Sequence, residues 1–307
     1  MALISKKKTT YPISSTLRKY LIKYDRETKL PVQYTDLMRY DNTIPLRDRN
    51  DKDSLWESVF YPQSDMQQVH NDLKEIYAML KSGGDLSVMQ HLYVDRIDSC
   101  VYGNTLPFRV RIVNRINDNF DYFYIKVADA SRIYGLELEH LLSPNRISYY
   151  VDRNTLVEQH IVGVPGDQFI KQYLDDPNLN KTRLAKEFVK FKQRCFIRLL
   201  GDMHSSNFVV NITPDFEDVD YRIRAIDFDQ QSYEGRKSIY LPQYFKENNP
   251  LIEIGLNCMT VETVRQYQKE ERSLIARRYK VSRAEIADLL RAMSSDKISP
   301  IENVRKL

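Results

Sequence analysis

Residues 198–207 read RLLGDMHSSN and residues 222–229 read RIRAIDFD. The first stretch places Asp202, His204 and Asn207 within six positions, directly after bulky apolar side chains. The second ends a β-patterned run on Asp227 and Asp229, with Phe228 between them. An amide oxygen and a carboxylate are hard donors of the kind Mg²⁺ takes in small number, while water and phosphate oxygens fill the rest of its shell. A second carboxylate within reach can accept or orient the proton of a nucleophilic hydroxyl. These types and spacings make Asn207 and Asp227 candidate metal ligands and Asp202 a candidate acid–base group.

The neighbouring segments must bring these groups together. Leu184, Phe188, Phe191, Cys195 and Leu199 recur every three to four residues, which predicts a core-facing helix over 181–199 that delivers the chain into the 201–207 loop. FVVNI then resumes as a strand, and YRIRAI is the next one. A hairpin over TPDFEDVD would set Asn207 beside Asp227, although 227 − 207 = 20 positions separate them. Taken alone, either polar stretch is the composition of an ordinary surface turn. The case for a site comes from their order and from what lies upstream.

Upstream, VDRIDSCVYG, LPFRVRIVN and FDYFYIKVAD are three β-rich runs separated by the turn signals GNT and NDN, with clear alternation over Phe108–Ile112. They predict an antiparallel meander. Residues 131–142 predict a helix with Ser131 as N-cap and Pro144 beyond its end. RISYYVD and TLVEQHIV read as two more strands before the break at 163–166. Helices are expected at 167–175, 260–279 and 282–294, with irregular chain over 230–250.

The first 63 residues are polar, Tyr-rich and punctuated by Pro12, Pro31, Pro45 and Pro62, as if wrapped on another surface; RDRNDKD at 47–53 reads as a solvated loop. Ser64–Lys81 predicts a helix on Met66, Val69, Leu73, Ile76, Tyr77 and Leu80, stopped by Gly83-Gly84, and a short helix is expected over 85–91. Strands and helices are segregated along the chain, which argues for an α+β fold of two lobes rather than an alternating parallel sheet.

Composition narrows the class. The chain has 307 residues, 42% of them hydrophobic, enough for a large core. A net charge of +4 does not point to nucleic acid, and KVSRAEIADLLRAM (280–293), which resembles half of a helix-turn-helix, is better read as a packing element. The KKK tract at 6–8 reads as solvated, and no apolar run follows it as a secretory signal requires. No run approaches the ~20 apolar residues of a membrane span. Cys100, Cys195 and Cys258 are too dispersed for a metal site and fit a reducing, cytoplasmic setting. Nine glycines against 21 tyrosines disfavour a Gly-rich dinucleotide fold.

GDMHSSN and IDFD, in this order, resemble the catalytic and metal motifs of the protein-kinase-like superfamily, most closely its aminoglycoside- and choline-phosphotransferase-like branches. The resemblance runs over landmarks between about residues 93 and 230 and rests on about a dozen residues. It implies a bilobal fold: an N-terminal helical extension (1–92), a small antiparallel β N-lobe (93–165) and a helical C-lobe (166–307). It implies an ATP- and Mg²⁺-dependent transfer of the γ-phosphate to a hydroxyl acceptor, protein or small molecule. Asp202 would be the catalytic Asp, Asn207 and Asp227 metal ligands, Asp229 a second acid supporting loop or metal, and His204 a loop-shaping residue.

The family also needs a Lys on the third strand of the β-lobe, meeting the α- and β-phosphates and a Glu from the next helix. Lys126, alone between Ile125 and Val127, fits, and a buried Lys requires an anionic partner. Of Glu137 and Glu139, Glu137 falls among Ile133, Leu136, His140 and Leu141 on the apolar face and Glu139 points largely away, so Glu137 is expected as the partner. LVEQHIVGVPG sits where the family holds adenine, which would place Glu158, His160 and Val162 near the base.

The sequence departs from the family in three places. VYGNTLPF has a single Gly, Leu200 stands where relatives commonly carry His, and no Ala-Pro-Glu follows IDFD. Two other functions stay open on the same fold: a nucleotide-binding pseudokinase whose N-terminal extension and C-terminal helices meet a protein partner, and nucleotidyl transfer (AMPylation).

Overall fold

The computed structural model describes residues 9–48, 51–100, 105–214 and 219–307. The KKK tract at 6–8, Gly103 of the VYGNTLPF loop and the centre of the TPDFEDVD turn lie outside these residues. The chain forms a mixed α+β structure of two compact units. One comprises residues up to Ala130 together with Ile147–His160; the other comprises Ser131–Arg146 and Ile161–Leu307.

The first unit contains α1 (Ser15–Lys23), α2 (Tyr34–Leu37), β1 (Asn42–Arg47), β2 (Asp53–Phe60), α3 (Gln63–Ser82), β3 (Leu92–Cys100), β4 (Phe108–Asn114) and β5 (Phe120–Val127). α4 (Ala130–Leu142) belongs almost wholly to the other unit; β6 (Tyr149–Asp152) and β7 (Thr155–Gln159) then return to the first. The seven strands form one antiparallel sheet in the order β1-β2-β3-β4-β5-β7-β6.

Alternation in β4 sends Phe108, Val110 and Ile112 into a core shared with Phe123, Ile125 and Val157 and with Leu73, Ile76 and Leu80 of α3. Each such fully buried side chain contributes about 1.5–3 kcal/mol. The opposite face carries Arg109, stacked on Trp56 and Tyr122 and paired with the fully buried Asp98. Gly83, left-handed at φ +62°, ends α3 as the sequence predicts, although Pro62 rather than Ser64 is the N-cap residue.

The N-terminal extension expected to be helical contains α1, α2 and α3 but also β1 and β2, which add an edge to the sheet. β1 lies at that edge, where Pro45 costs no interior ladder bond, and its half-exposed residues lack the alternation that marks a strand.

The second unit holds β8 (Val164–Pro165), α5 (Gly166–Gln172), α6 (Lys181–Arg198), β9 (Phe208–Pro214), β10 (Val219–Ala225), α7 (Asn249–Cys258), α8 (Val261–Val281), α9 (Arg283–Ser295) and α10 (Ile301–Lys306). Three short 3-10 turns occupy 237–248, as the irregular reading of this region predicts; α7 was not foreseen. Leu184, Phe188, Phe191 and Cys195 are the buried stripe of α6, but Leu199 leaves the helix as a left-handed C-cap at φ +54°.

α6 also buries Arg194 and Arg198. Arg194 pairs with Glu187 and Glu271 and donates to the Ile223 carbonyl; Arg198 pairs with Glu139 of α4. Glu139 therefore does not face away from the core. Every residue of α4 except His140 is buried, so the helix has no solvent face for a single-stripe reading to find.

Candidate functional site

β9 and β10 pair in register from Phe208↔Ala225 to Pro214↔Val219, and the Ile226 N–H continues the ladder to the Asn207 carbonyl at 3.0 Å. The loop leaving α6 and the loop leaving β10 thus meet at one end of the hairpin. The two loops are also bonded to each other. Gly201 N–H donates to the Gln230 carbonyl (3.2 Å), Ser232 N–H to the Leu199 carbonyl (2.8 Å), and Leu200 forms an isolated bridge with Gln231.

Within the first loop, Asn207 Nδ2 donates to the Asp202 carbonyl at 2.8 Å, and His204 N–H donates to the same oxygen at 3.0 Å. The Asn207 amide is thereby oriented, with its nitrogen committed inward. His204 accepts from Ser206 N–H through Nδ1 (3.3 Å) and sets its ring edge-on against Phe245, so it shapes the turn at 205–207. Asp202 itself is left-handed at φ +59°, as are Leu199, the C-cap of α6, and Ser232. Burial, reinforced by the carboxylates of Asp227, Glu234 and Glu247, pushes Asp202 up to about 6 against the opposing pull of His204.

The second loop is fastened to the first turns of α4. Arg132, 3% exposed, donates through Nη1 to Oδ1 of both Asp227 (3.1 Å) and Asp229 (2.9 Å), and through Nη2 to the Ile226 carbonyl (3.2 Å). Ser131 Oγ lies 3.0 Å from the Asp229 carbonyl and 3.3 Å from that of Gln231. Ser131 is therefore not the N-cap that the sequence predicts; it lies inside α4 and its hydroxyl serves the loop. Gly135 completes the fastening, since a Cβ there would sit 2.9 Å from Cβ of Phe228 and 3.1 Å from its carbonyl. Arg132 and Gly135 were not singled out from the sequence, and Ser131 was read only as a cap. Local pattern reading gives no signal for a partner 95 positions away.

Asp227 and Asp229 differ. Asp227 keeps 35% of its side chain exposed and accepts from Asp229 N–H (3.0 Å), whereas Asp229 is buried. Among the described residues no cluster of three or more His, Cys, Asp or Glu side chains is arranged to hold a metal ion. A site of one carboxylate and one amide oxygen suits Mg²⁺ rather than a metal that needs a protein cage.

In the first unit, Lys126 is buried on β5, and its Nζ lies 2.9 Å from Glu158 Oε2. The register Tyr124↔Glu158 and Lys126↔Leu156 makes this a diagonal cross-strand pair. Lys126 thus has the acid that its burial requires, and Glu158, expected beside adenine, gives its side chain to that pair. His160 follows β7 with its ring against Tyr122 and Tyr124, and burial lowers its pKa. Glu137 is fully buried on α4. Val162, in the second unit, is exposed, and its carbonyl accepts from Asn211 Nδ2 at 3.4 Å.

No protein-family model matches the chain, and no curated protein does. Among solved structures, the crystal structure of the Rad53 kinase domain and SCD2 aligns over 55% of this chain and 76% of its own length, at 14% identity and a TM-score of 0.23. That correspondence is too loose to assign any residue. No helix among the described residues is long and apolar enough to cross a membrane.

Proposed function

We propose that this chain is an ATP- and Mg²⁺-dependent phosphotransferase of the bilobal protein-kinase-like kind, acting on a hydroxyl acceptor. One observation carries the reading: the Asn207 amide is locked onto the Asp202 carbonyl at the foot of a hairpin whose other strand, β10, runs out two residues before Asp227. That juxtaposition gathers an acid–base group and two hard-oxygen donors from segments 20 positions apart.

The Asp202 carboxylate accepts the acceptor's hydroxyl proton, and its elevated pKa makes it a better base than a solvent-exposed Asp. Asn207 and Asp227 would hold Mg²⁺, which supplies charge neutralisation on the phosphate oxygens. Asp229, buried against Arg132, supports the loop that presents Asp227. Lys126 is assigned to the α- and β-phosphates. With Glu139 committed to Arg198, the acidic role on α4 falls to Glu137. The segment around His160 and Val162 keeps the proposed adenine contact. The acceptor, protein or small molecule, stays open, as do a cytoplasmic setting and a protein partner for the N-terminal segment.

A second reading has its own observation. Arg132 neutralises both Asp227 and Asp229, as suits a nucleotide-binding pseudokinase that does not depend on metal. Incubation with γ-labelled ATP and Mg²⁺, offered whole lysate and a panel of small hydroxyl compounds, decides between them. We expect label transfer in the wild type and a loss of at least ~100-fold in Asp227→Ala. Full transfer by that variant would overturn the assignment. ATP-induced thermal stabilisation with neither label transfer nor a mass gain of AMP on any acceptor supports the pseudokinase; a mass gain of AMP, with the γ-label released in pyrophosphate, identifies nucleotidyl transfer.

A further inference from the structure

On the helical unit, α6, α7 and the start of α8 enclose an open groove of about 400 Å³ that takes no part in the site described above. Its walls are apolar, formed by Phe188 and Val189 of α6, Leu251 and Leu256 of α7, Met259 and Val264. Leu256 is 76% exposed at the rim. Two cations line the same groove. Lys192 is half-buried in it with Nζ 5.4 Å from the Phe188 ring centroid, and Arg265 is exposed at its mouth.

Neither cation has a carboxylate within ion-pairing distance among the described residues, and no acid lines the groove. Glu262, one turn before Arg265 on α8, is outside the groove lining and forms no ion pair with Arg265, and the acids further along are committed elsewhere: Glu270 to Lys190 and Glu271 to Arg194. Burial alone lowers the Lys192 pKa, the mark of an ammonium desolvated without a counter-ion. The N-terminus of the 21-residue α8 opens at the same place, through Thr260 and Val261, and adds its positive dipole end.

We propose that this groove binds a small amphiphilic carboxylate, of the chemical class of a medium-chain fatty acid. The carboxylate would sit between Lys192 and Arg265, and the chain would lie along Phe188, Leu251 and Met259. A volume of this size with an apolar lining and few convergent polar groups is that of a small-molecule site. A cation set inside the groove, rather than along its rim, favours a small head group over the spread charges of an acidic helix. The proposal does not rest on phosphotransfer and survives its failure.

The test is a calorimetric titration of the full chain with decanoate below its micellar concentration, in parallel with the methyl resonances of ¹³C-methyl-methionine protein. We expect saturable one-to-one binding and a shift of the Met259 resonance, assigned through Met259→Leu. Binding should weaken about tenfold or more in Lys192→Gln and for uncharged 1-decanol on the wild type. Lys192→Arg should bind within about threefold of the wild type, and Lys186→Gln, which lies outside the groove over Tyr267, should be unchanged. Absence of saturable binding, equal affinity for 1-decanol, or an acidic amphipathic peptide displacing decanoate would overturn the proposal. Should Lys192→Gln fail to fold by circular dichroism, the 1-decanol comparison still decides.

Discussion

Asp202 is set in conflict with its surroundings. Its carboxyl is buried near three other carboxylates, which disfavours its ionised form, and its backbone is left-handed, a conformation few side chains adopt. Because its folded pKa, about 6, stands above the usual value of about 3.9, the group favours the folded state below about pH 4 and loses that contribution as pH rises through 6. The metal-free Asp202→Asn variant should therefore melt higher than the wild type at pH 7.5, by on the order of 1–2 kcal/mol after solvent screening. The two melting curves should converge near pH 4. Asn also tolerates the left-handed region better than Asp. On the proposed assignment, the same variant should also lose phosphotransfer. A lower melting temperature at pH 7.5 would contradict this account.

Arg132 raises a different expectation at the same scale. Replacing it by Ala leaves Asp227 and the buried Asp229 without their shared cation. Mg²⁺ should then stabilise the variant more than it stabilises the wild type, because the ion would take over a charge that the guanidinium now balances. Melting temperatures of both proteins with and without 10 mM-scale Mg²⁺ would show it; equal increments would not fit.

Among the elements, α4 links most of what the second unit does with charge. Its first turns hold the Ile226–Gln231 loop, and its Glu139 meets Arg198 of α6. Gly135→Ala should destabilise by about 1–3 kcal/mol in urea, although Ala is the better helix former by about 1 kcal/mol. The added methyl meets Phe228 side chain and backbone at once. Hydrogen exchange should quicken selectively over 226–231.

The sequence made some of this readable. The meander, α6 and the β9–β10 hairpin declare themselves because β4, β10 and α6 alternate at their own period and turn signals bound the β-rich runs beside them. Asn207 and Asp227 could be brought together from that hairpin alone. β1 and β2 were hidden by weak alternation, and α4 defeated a one-face reading because both of its glutamates are buried. Glu158 was legible as a strand residue, but its pairing with Lys126 required the register of β5 against β7, which local pattern does not supply.

Over the molecule as a whole, neither unit is a continuous piece of chain. Residues up to Ala130 lack β6 and β7, whose Leu156 and Val157 are fully buried, and residues from Ile161 onward lack α4. Fragments 1–130 and 161–307, expressed separately, should each show no cooperative unfolding transition, whereas the full chain should. The buried ionic hub should matter at this scale too. Arg194→Ala strands Glu271, which is 1% exposed, and should cost about 3–5 kcal/mol; replacing Arg194, Glu187 and Glu271 together by apolar residues of similar volume should cost far less.

The burial of α4 has a consequence for the newborn chain. The helix leaves the ribosome with Ile133, Tyr134, Leu136, Leu138 and Leu141 uncovered and Arg132 and Glu139 unpaired with their later partners, yet Arg198 and the Ile226–Gln231 loop are made up to 231 − 142 = 89 residues later. At ordinary elongation rates that is a wait of roughly 5–20 s. For that interval it is a sticky segment awaiting its companions, so yield in vivo should depend on chaperone capacity more steeply than the stability of the finished protein would imply.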